Sequence, residues 1–383
     1  MVPTRVFLDY AAATPLSPKA RDAMIEASSY FANPQALHTE GLAAARVIDL
    51  ARRSIAKTLG VKASRLFFTS GGTEANNLAI AGYLNSLEKD MQDMHVVISS
   101  IEHPSVYDVL TPFIQKGLQV SEVPPNEKGE IKPEAIEAAL TESTVLVSVA
   151  LVNSEIGTVQ PLHAISQKLK DKHIVLHTDA GQGLYQPLMP QGLGVDLMSF
   201  DSGKMYGPRG VGALYVRSGL HLHPVLRGGS QEDGLRPGTE NTALIAGFAA
   251  AFEEMLELRD EEGKRLNVLR NIALERMTES IPGLVINGEG KNQSPHILNV
   301  SVPHIDAEYI ALYMDQRGVA LSTKSACLER SDSEVSSVVA ALAGDTWRAR
   351  NTLRLSFGRE TTTEDVETAI AQLQEAVAVY QGF

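Results

Sequence analysis

The chain has 383 residues, with 46 acidic against 34 basic side chains, a formal net charge of −12, 44% hydrophobic residues and one cysteine. That length is enough for two domains and a large buried core. The acidic balance, with no long Lys/Arg block, argues against nucleic acid or an anionic membrane surface as a direct partner. A lone cysteine, Cys327, excludes an intrachain disulfide and a multi-cysteine metal site. No apolar run approaches the roughly 18 residues of a membrane span, and Met1 to Phe7 lacks the apolar core of a secretion signal, so the expected location is the cytoplasm.

Leu8 to Pro15 predicts a short strand and turn, and Ser17-Pro18 supplies an N-cap and a first-turn proline for a helix to about Ser29. Thr39 is expected to cap a long amphipathic helix with apolar positions Leu42, Val47, Leu50, Ile55 and Leu59, stopped by Gly60. Strands at 66–69, 95–99, 119–123, 144–152 and 174–178 then alternate with helices at 73–87, 104–116, 132–140 and 162–170. This alternation calls for an α/β fold, a mostly parallel sheet between two layers of helices. Val195 to Phe200 and Val211 to Val216 add two strands around a glycine-rich turn that carries Lys204.

A polar, glycine-rich stretch at 227–241 leads into a helical region at 242–280, with an interruption expected near Gly263. The domain boundary is placed there: a large α/β domain over 16–255 and a smaller α+β C-terminal domain over 256–383, with 1–15 packed against it. In the smaller unit, strands at 296–302, 319–322 and 353–357 alternate with helices at 307–317, 333–343 and 364–380.

Several polar groups fall at strand ends. Thr69 to Asn77, with Gly71-Gly72 ahead of a helix, makes a phosphate-sized anion site, and it matches neither a Walker loop nor a dinucleotide fingerprint. His103, Asn153 with Glu155 and Gly157, and Asp179 with Gln182 follow successive strands, so they collect at the edge where open α/β sheets bind ligands. Asp179 at a strand end needs a cationic or N–H partner. A pyridoxal phosphate (PLP) site explains all of these economically: a helix N-terminus at Thr73 for the phosphate, Asp179 for the ring nitrogen and Lys204 for a Schiff base. His221, His223, His163 and His173 lack metal-ligand spacing, so no metal site is expected.

Read in order, the motifs resemble the cysteine desulfurases of the NifS/IscS type, within the class V aminotransferase-like, fold-type I PLP enzymes. The resemblance rests on Leu8-Asp9-Tyr10, Asn33-Pro34, Ser70 to Glu74, Glu102-His103, Asn153 to Thr158 and His177-Thr178-Asp179 with Gln182. It continues through Lys204 with Tyr206-Gly207-Pro208, Arg236 to Asn241, Ser325-Ala326-Cys327 and Leu353 to Arg359.

The resemblance implies a role for each position. Lys204 would carry PLP and move the α-proton, His103 would stack on the ring and assist proton transfer, and Asp179 would keep the ring nitrogen protonated. Gln182 and Asn153 would bond the phenolic oxygen, and Gly72 and Thr73 the phosphate, with Thr239 reaching over from a second subunit of a homodimer. Asn33 and Arg354 would clamp the carboxylate of L-cysteine. Cys327 would take the sulfur as a persulfide, with Lys324 and Arg330 favouring its thiolate, and pass it to an acceptor protein for iron–sulfur clusters, thio-cofactors or tRNA.

The chain also departs from that pattern. Asp201-Ser202-Gly203 stands where the family has Ser-Gly-His before the lysine, Lys324 and Leu328 flank the cysteine motif, and Ser154 replaces an asparagine. An acid at 201 is unfavourable beside a phosphate, and Ser202 is expected to shift and take over one phosphate bond. Two alternatives stay open at this point: a selenocysteine lyase or other class V lyase or aminotransferase, and a non-catalytic desulfurase-like scaffold.

Overall fold

The computed structural model describes residues 5–323, 335–344 and 346–382, so Cys327 and its neighbours Lys324, Leu328 and Arg330 lie outside the described residues. In chain order come β1 (Val6–Phe7), α1 (Pro18–Ala27), α2 (Thr39–Leu59), β2 (Leu66–Thr69), α3 (Gly72–Ser86) and β3 (His95–Ser99). Then follow α4 (Pro104–Tyr107), α5 (Thr111–Ile114), β4 (Gln119–Val123), α6 (Pro133–Ala139), β5 (Thr144–Ser148) and α7 (Leu162–Leu169). Next are β6 (Val175–Asp179), α8 (Pro190–Leu193), β7 (Leu197–Asp201), β8 (Gly212–Val216) and α9 (Thr242–Ser280). The last part holds β9 (Val285–Ile286), β10 (Ile297–Ser301), α10 (Ala307–Gln316), β11 (Val319–Ala320), α11 (Ser337–Ala343), α12 (Thr346–Arg350), β12 (Thr352–Ser356) and α13 (Thr363–Gln381).

Seven strands form the main sheet in the order β2-β8-β7-β6-β5-β3-β4. Strands β7, β6, β5, β3 and β4 pair in parallel, and β8 runs antiparallel to both β2 and β7. All strands but β8 therefore point their C-terminal ends to one edge. Alternate residues serve opposite faces, as strand geometry requires: Phe67, Val96 and Leu197 join the core under α3, while Phe68, Val97 and Met198 join the core under α2, α7 and the first half of α9. A separate core gathers Val6 and Leu8 with Leu266 to Met277 of α9, β10, β12, α10 and α13. One helix thus contributes to two cores, with Phe248 and Phe252 in the first and Leu266 and Leu269 in the second.

Four expectations about the helices fail, and the strands expected over 144–152 and 319–322 end early, at Ser148 and Ala320. The helix expected over 104–116 is broken into α4 and α5 with a 3₁₀ turn between them. Pro112 explains the break, since proline has no N–H to give and its ring crowds the carbonyl four residues back. No interruption occurs at Gly263, and α9 runs on through its 39 residues. On α2 the inward face is Ala44, Ile48, Ala51, Ile55 and Leu59, whereas Leu42 and Leu50 are exposed; small alanines, not the leucines, fit the close approach to α9. The cap of α2 is His38, whose ring accepts the Gly41 N–H, and not Thr39. Among the described residues no helix is long and apolar enough to cross a membrane.

Candidate active site

The polar residues singled out at strand ends meet at the C-terminal edge of the sheet. Two adjoining cavities share Ala12, His103, Asp179, Gly181 and Lys204 on their walls. Ile101, Asn153, Gln182 and Arg354 line the first, and Ser70, Gly72, Thr73, Asn76, Asp201 and Arg209 the second. The sequence brings five loops here because β2, β3, β5, β6 and β7 all end at this edge.

Lys204 ends a single 3₁₀ turn after β7, and its Nζ donates to the carbonyls of Ala11 and Ala12 at 3.0 and 3.2 Å. The same N-terminal segment clamps the turn from below. Thr14 N–H and Oγ1 both donate to the Gly203 carbonyl, and Thr14 Oγ1 accepts the Tyr206 N–H at 2.8 Å. Tyr206 takes φ 60°, a left-handed conformation costly for a bulky residue, and the clamp holds it there. The amine is thereby delivered to the junction of the two cavities.

A chain of hydrogen bonds connects Asp179 to His103. Asn76 Nδ2 donates to Asp179 Oδ2 at 2.7 Å and to Ser105 Oγ at 2.9 Å, and Asp179 Oδ1 accepts the Gly181 N–H at 2.8 Å. His103 caps α4: its Nδ1 accepts the Ser105 N–H at 3.1 Å and lies 2.8 Å from Ser105 Oγ. Since Ser105 Oγ receives the Asn76 proton, its own proton points to His103 Nδ1, so the neutral ring carries its proton on Nε2. Beneath Asp179, His177 is held between Ser148 and Ser199 hydroxyls, and burial pushes its pKa down to about 4. Glu102 is buried beside His103, where it accepts the Ser99 hydroxyl and the Ala150 N–H. Burial pushes its carboxyl up to about 8, above what those bonds recover.

On the far wall Gln182 is oriented by two groups. Its Nε2 donates to Ala11 O at 2.7 Å, and its Oε1 lies 3.1 Å from Nε2 of buried His296. Burial and the nearby Arg354 and Lys204 charges lower the His296 pKa to about 3. The neutral ring therefore donates from Nε2 to Gln182 and accepts from Ser294 at Nδ1, and one Gln182 N–H is left for the cavity. Asn153 is more committed. Its Oδ1 accepts the Glu155 and Ile156 N–H groups and its Nδ2 donates to Ile101 O, which shapes the turn after β5 and leaves one N–H. Arg354 on β12 is 1% exposed, with Nη2 on Asp9 Oδ1 at 2.7 Å, Nη1 on Ser154 O at 3.0 Å, and Nε without a partner among the described residues.

Three expected residues stand elsewhere. Ser202 is fully buried and turns toward Gly207, where an added Cβ would lie 2.1 Å from its Oγ; it lines neither cavity, so the expected phosphate bond is not in place. Its neighbour Asp201 fills that space instead, taking the Gly72 and Gly203 N–H groups at 3.0 and 2.8 Å. Asn33 and Thr239 are exposed and line neither cavity, and the Asn33 oxygen accepts the Gln35 N–H at 2.9 Å. Sequence reading assigned no role to Asn76, His296 or Arg209. Asn76 carries a usable signal, since it lies one turn after Gly72 on α3 and so shares its face; His296 is 114 residues from Gln182 and carries none.

The model of the class-V aminotransferase family matches residues 6–368. The chain belongs to the class-V aminotransferase family. Among members of known sequence, it is 37% identical over 374 residues to the cysteine desulfurase IscS of Dictyoglomus turgidum, covering 97% of this chain and 94% of that one. It is also 37% identical over 379 residues to the IscS of Proteus mirabilis, covering 97% and 92%. Among class-V structures, a NifS-like protein superposes with a TM-score of 0.91 at 30% identity, covering 98% of this chain and all of that one. A structure of SspA in complex with cysteine gives 0.80 at 33%, covering 92% and 99%.

Proposed function

We propose that this class-V enzyme is a PLP-dependent L-cysteine desulfurase that forms alanine and passes the sulfur to Cys327. The observation that carries this reading is the placement of the Lys204 amine in one cavity with Asp179, His103 and the Arg354 guanidinium. The donor set fits the cofactor: an amine, a carboxylate already oriented by Asn76, a spare Gln182 N–H, and helix amides at Thr73. The names of its relatives, cysteine desulfurases over nearly the whole length, support the same substrate.

When bound, PLP supplies an electron sink for the pair released at the α-carbon of the amino acid and so makes its Cβ–S bond cleavable. Lys204 would anchor the cofactor through Nζ and move the α-proton. Asp179 would hold the proton of the ring nitrogen, Gln182 and Asn153 would each offer one N–H to the phenolic oxygen, and His103 would lie against the ring and exchange protons at Nε2. Gly72 and Thr73 mark the phosphate end, although the Gly72 N–H already serves Asp201. Arg354 takes the substrate carboxylate, its fork held by Asp9 and Ser154. Asn33 would join Arg354 on the substrate carboxylate, and Thr239, which lines neither cavity of its own chain, would reach the site of a second subunit, which makes the functional form a homodimer. Cys327 would attack the substrate sulfur as a thiolate, so that the S–S bond forms as the Cβ–S bond breaks and the electron pair leaves with the carbon fragment that becomes alanine, and the persulfide would be handed to an acceptor protein in the cytoplasm.

The purified protein should be yellow and release alanine from cysteine. Borohydride reduction should fix the cofactor to the wild type and not to Lys204→Ala. If Cys327→Ala retains full sulfur release with reductant present, the persulfide route is wrong, and a lyase that uses no enzyme thiol takes its place.

A further inference from the structure

The inference concerns the phosphate end of the cavity and rests on the reading that PLP binds there. At the start of α3, Asp201 Oδ2 sits 3.0 Å from the Gly72 nitrogen, so a carboxylate already occupies the first amide of the helix. A dianion placed beside it meets a like charge, and the helix amides alone do not offset that repulsion. A cation at this spot would offset it. Lys204 is turned the other way, to the Ala11 and Ala12 carbonyls, and Arg236 is paired with Glu74 at 3.0 Å.

Arg209 remains. It lines the same cavity as Gly72, Thr73 and Lys204, it is exposed, and among the described residues it makes no hydrogen bond or ion pair. Its stem passes over Gly203, where an added Cβ would lie 3.2 Å from Arg209 Cγ and 3.2 Å from Asp201 Oδ1. The absence of a side chain at 203 is therefore what gives the arginine its path along the cavity wall. We propose that Arg209 is the cationic ligand of the cofactor's phosphate, reaching it across Gly203, and that Asp201 displaces that phosphate from the Gly72 amide toward Thr73 and the guanidinium. The planar fork suits two phosphate oxygens at once.

The test is a titration of apoprotein with PLP and, separately, with pyridoxal, which lacks the phosphate. Each is followed by absorbance for wild type, Arg209→Gln and Asp201→Asn, with inorganic phosphate as competitor. Arg209→Gln should weaken PLP at least tenfold, leave pyridoxal within about twofold, and blunt competition by inorganic phosphate. Asp201→Asn should tighten PLP and not pyridoxal. PLP affinity of Arg209→Gln within twofold of wild type, or an equal loss for both ligands, overturns the proposal while the cofactor reading stands. A wild-type chain that takes up neither ligand overturns both.

Discussion

Asn76 Nδ2 lies 2.7 Å from Asp179 Oδ2 and 2.9 Å from Ser105 Oγ, so a single buried amide ties the carboxylate of one strand end to the hydroxyl that fixes His103. Both Asn76 protons are used, and its Oδ1 is buried without a partner among the described residues. Replacing Asn76 with Leu removes both donors at once. Each lost bond to a buried group costs about 1–2 kcal/mol, with the charged acceptor at the upper end. Asn76→Leu should therefore lower unfolding free energy by about 3 kcal/mol and kcat for alanine formation by about tenfold or more. Urea denaturation and steady-state kinetics check the two parts; unchanged kcat would remove Asn76 from the site.

The His296–Gln182 contact makes a second, separable prediction. His296→Leu takes away the donor that holds the Gln182 oxygen off the cavity, so the amide is free to rotate and present oxygen where an N–H is required. The cofactor's visible absorbance should shift in His296→Leu, and kcat should fall about tenfold with KM for cysteine within about twofold. His296→Asn, which keeps an N–H donor, should recover part of both. A variant with an unaltered spectrum would show that Gln182 does not depend on His296.

Much of this architecture is legible in the chain because alternation of strands and helices is a backbone property written in composition, and the five loops that line the cavities follow strand ends. Positions such as Lys204, Asp179 and His103 are readable for that reason. What the sequence does not carry is side-chain direction. Ser202 and Asp201 are adjacent, and only the packing against Gly207 decides that the serine turns inward and the acid faces the cavity. Asn153 reads as a ligand, yet most of its amide is spent on shaping its own turn. The α2 face differs for a related reason: the apolar spacing predicts buried leucines, while close helix approach selects Ala44 and Ala51.

Glu102 gives a pH prediction whose sign can be worked out. Its folded pKa of about 8 lies above the ordinary value of 4.5, because burial disfavours the carboxylate. The native state therefore holds a proton that the unfolded chain has lost, and the stability it contributes is present at low pH and disappears as pH rises through about 8. His177 and His296 act in the opposite sense, since their folded values of about 4 and 3 lie below 6.5, and their effects are confined to pH below about 6.5. Between pH 6.5 and 8 the Glu102 slope stands alone among these three, at about 1.4 kcal/mol per pH unit. Unfolding free energy should fall across that window in the wild type and stay flat in Glu102→Gln. Parallel slopes would mean that Glu102 ionises normally.

The Arg354–Asp9 pair supplies the last prediction, and it separates binding from stability. Arg354 is buried at the wall of the first cavity, and its only carboxylate partner among the described residues is Asp9 at 2.7 Å. Arg354→Lys keeps a charge but loses the planar fork, so it should raise KM for cysteine about 10- to 100-fold while cofactor absorbance is unchanged. Asp9→Ala leaves the guanidinium in place but unpaired in a buried setting, a change that costs about 3–5 kcal/mol when a buried pair is broken on one side. Its main effect should therefore be on denaturation midpoint, with a smaller rise in KM from a less fixed fork. The double variant Asp9→Ala/Arg354→Leu removes both charges and should recover stability without recovering KM. If Asp9→Ala and the double variant are equally unstable, the loss comes from packing around β12 and not from the unpaired charge.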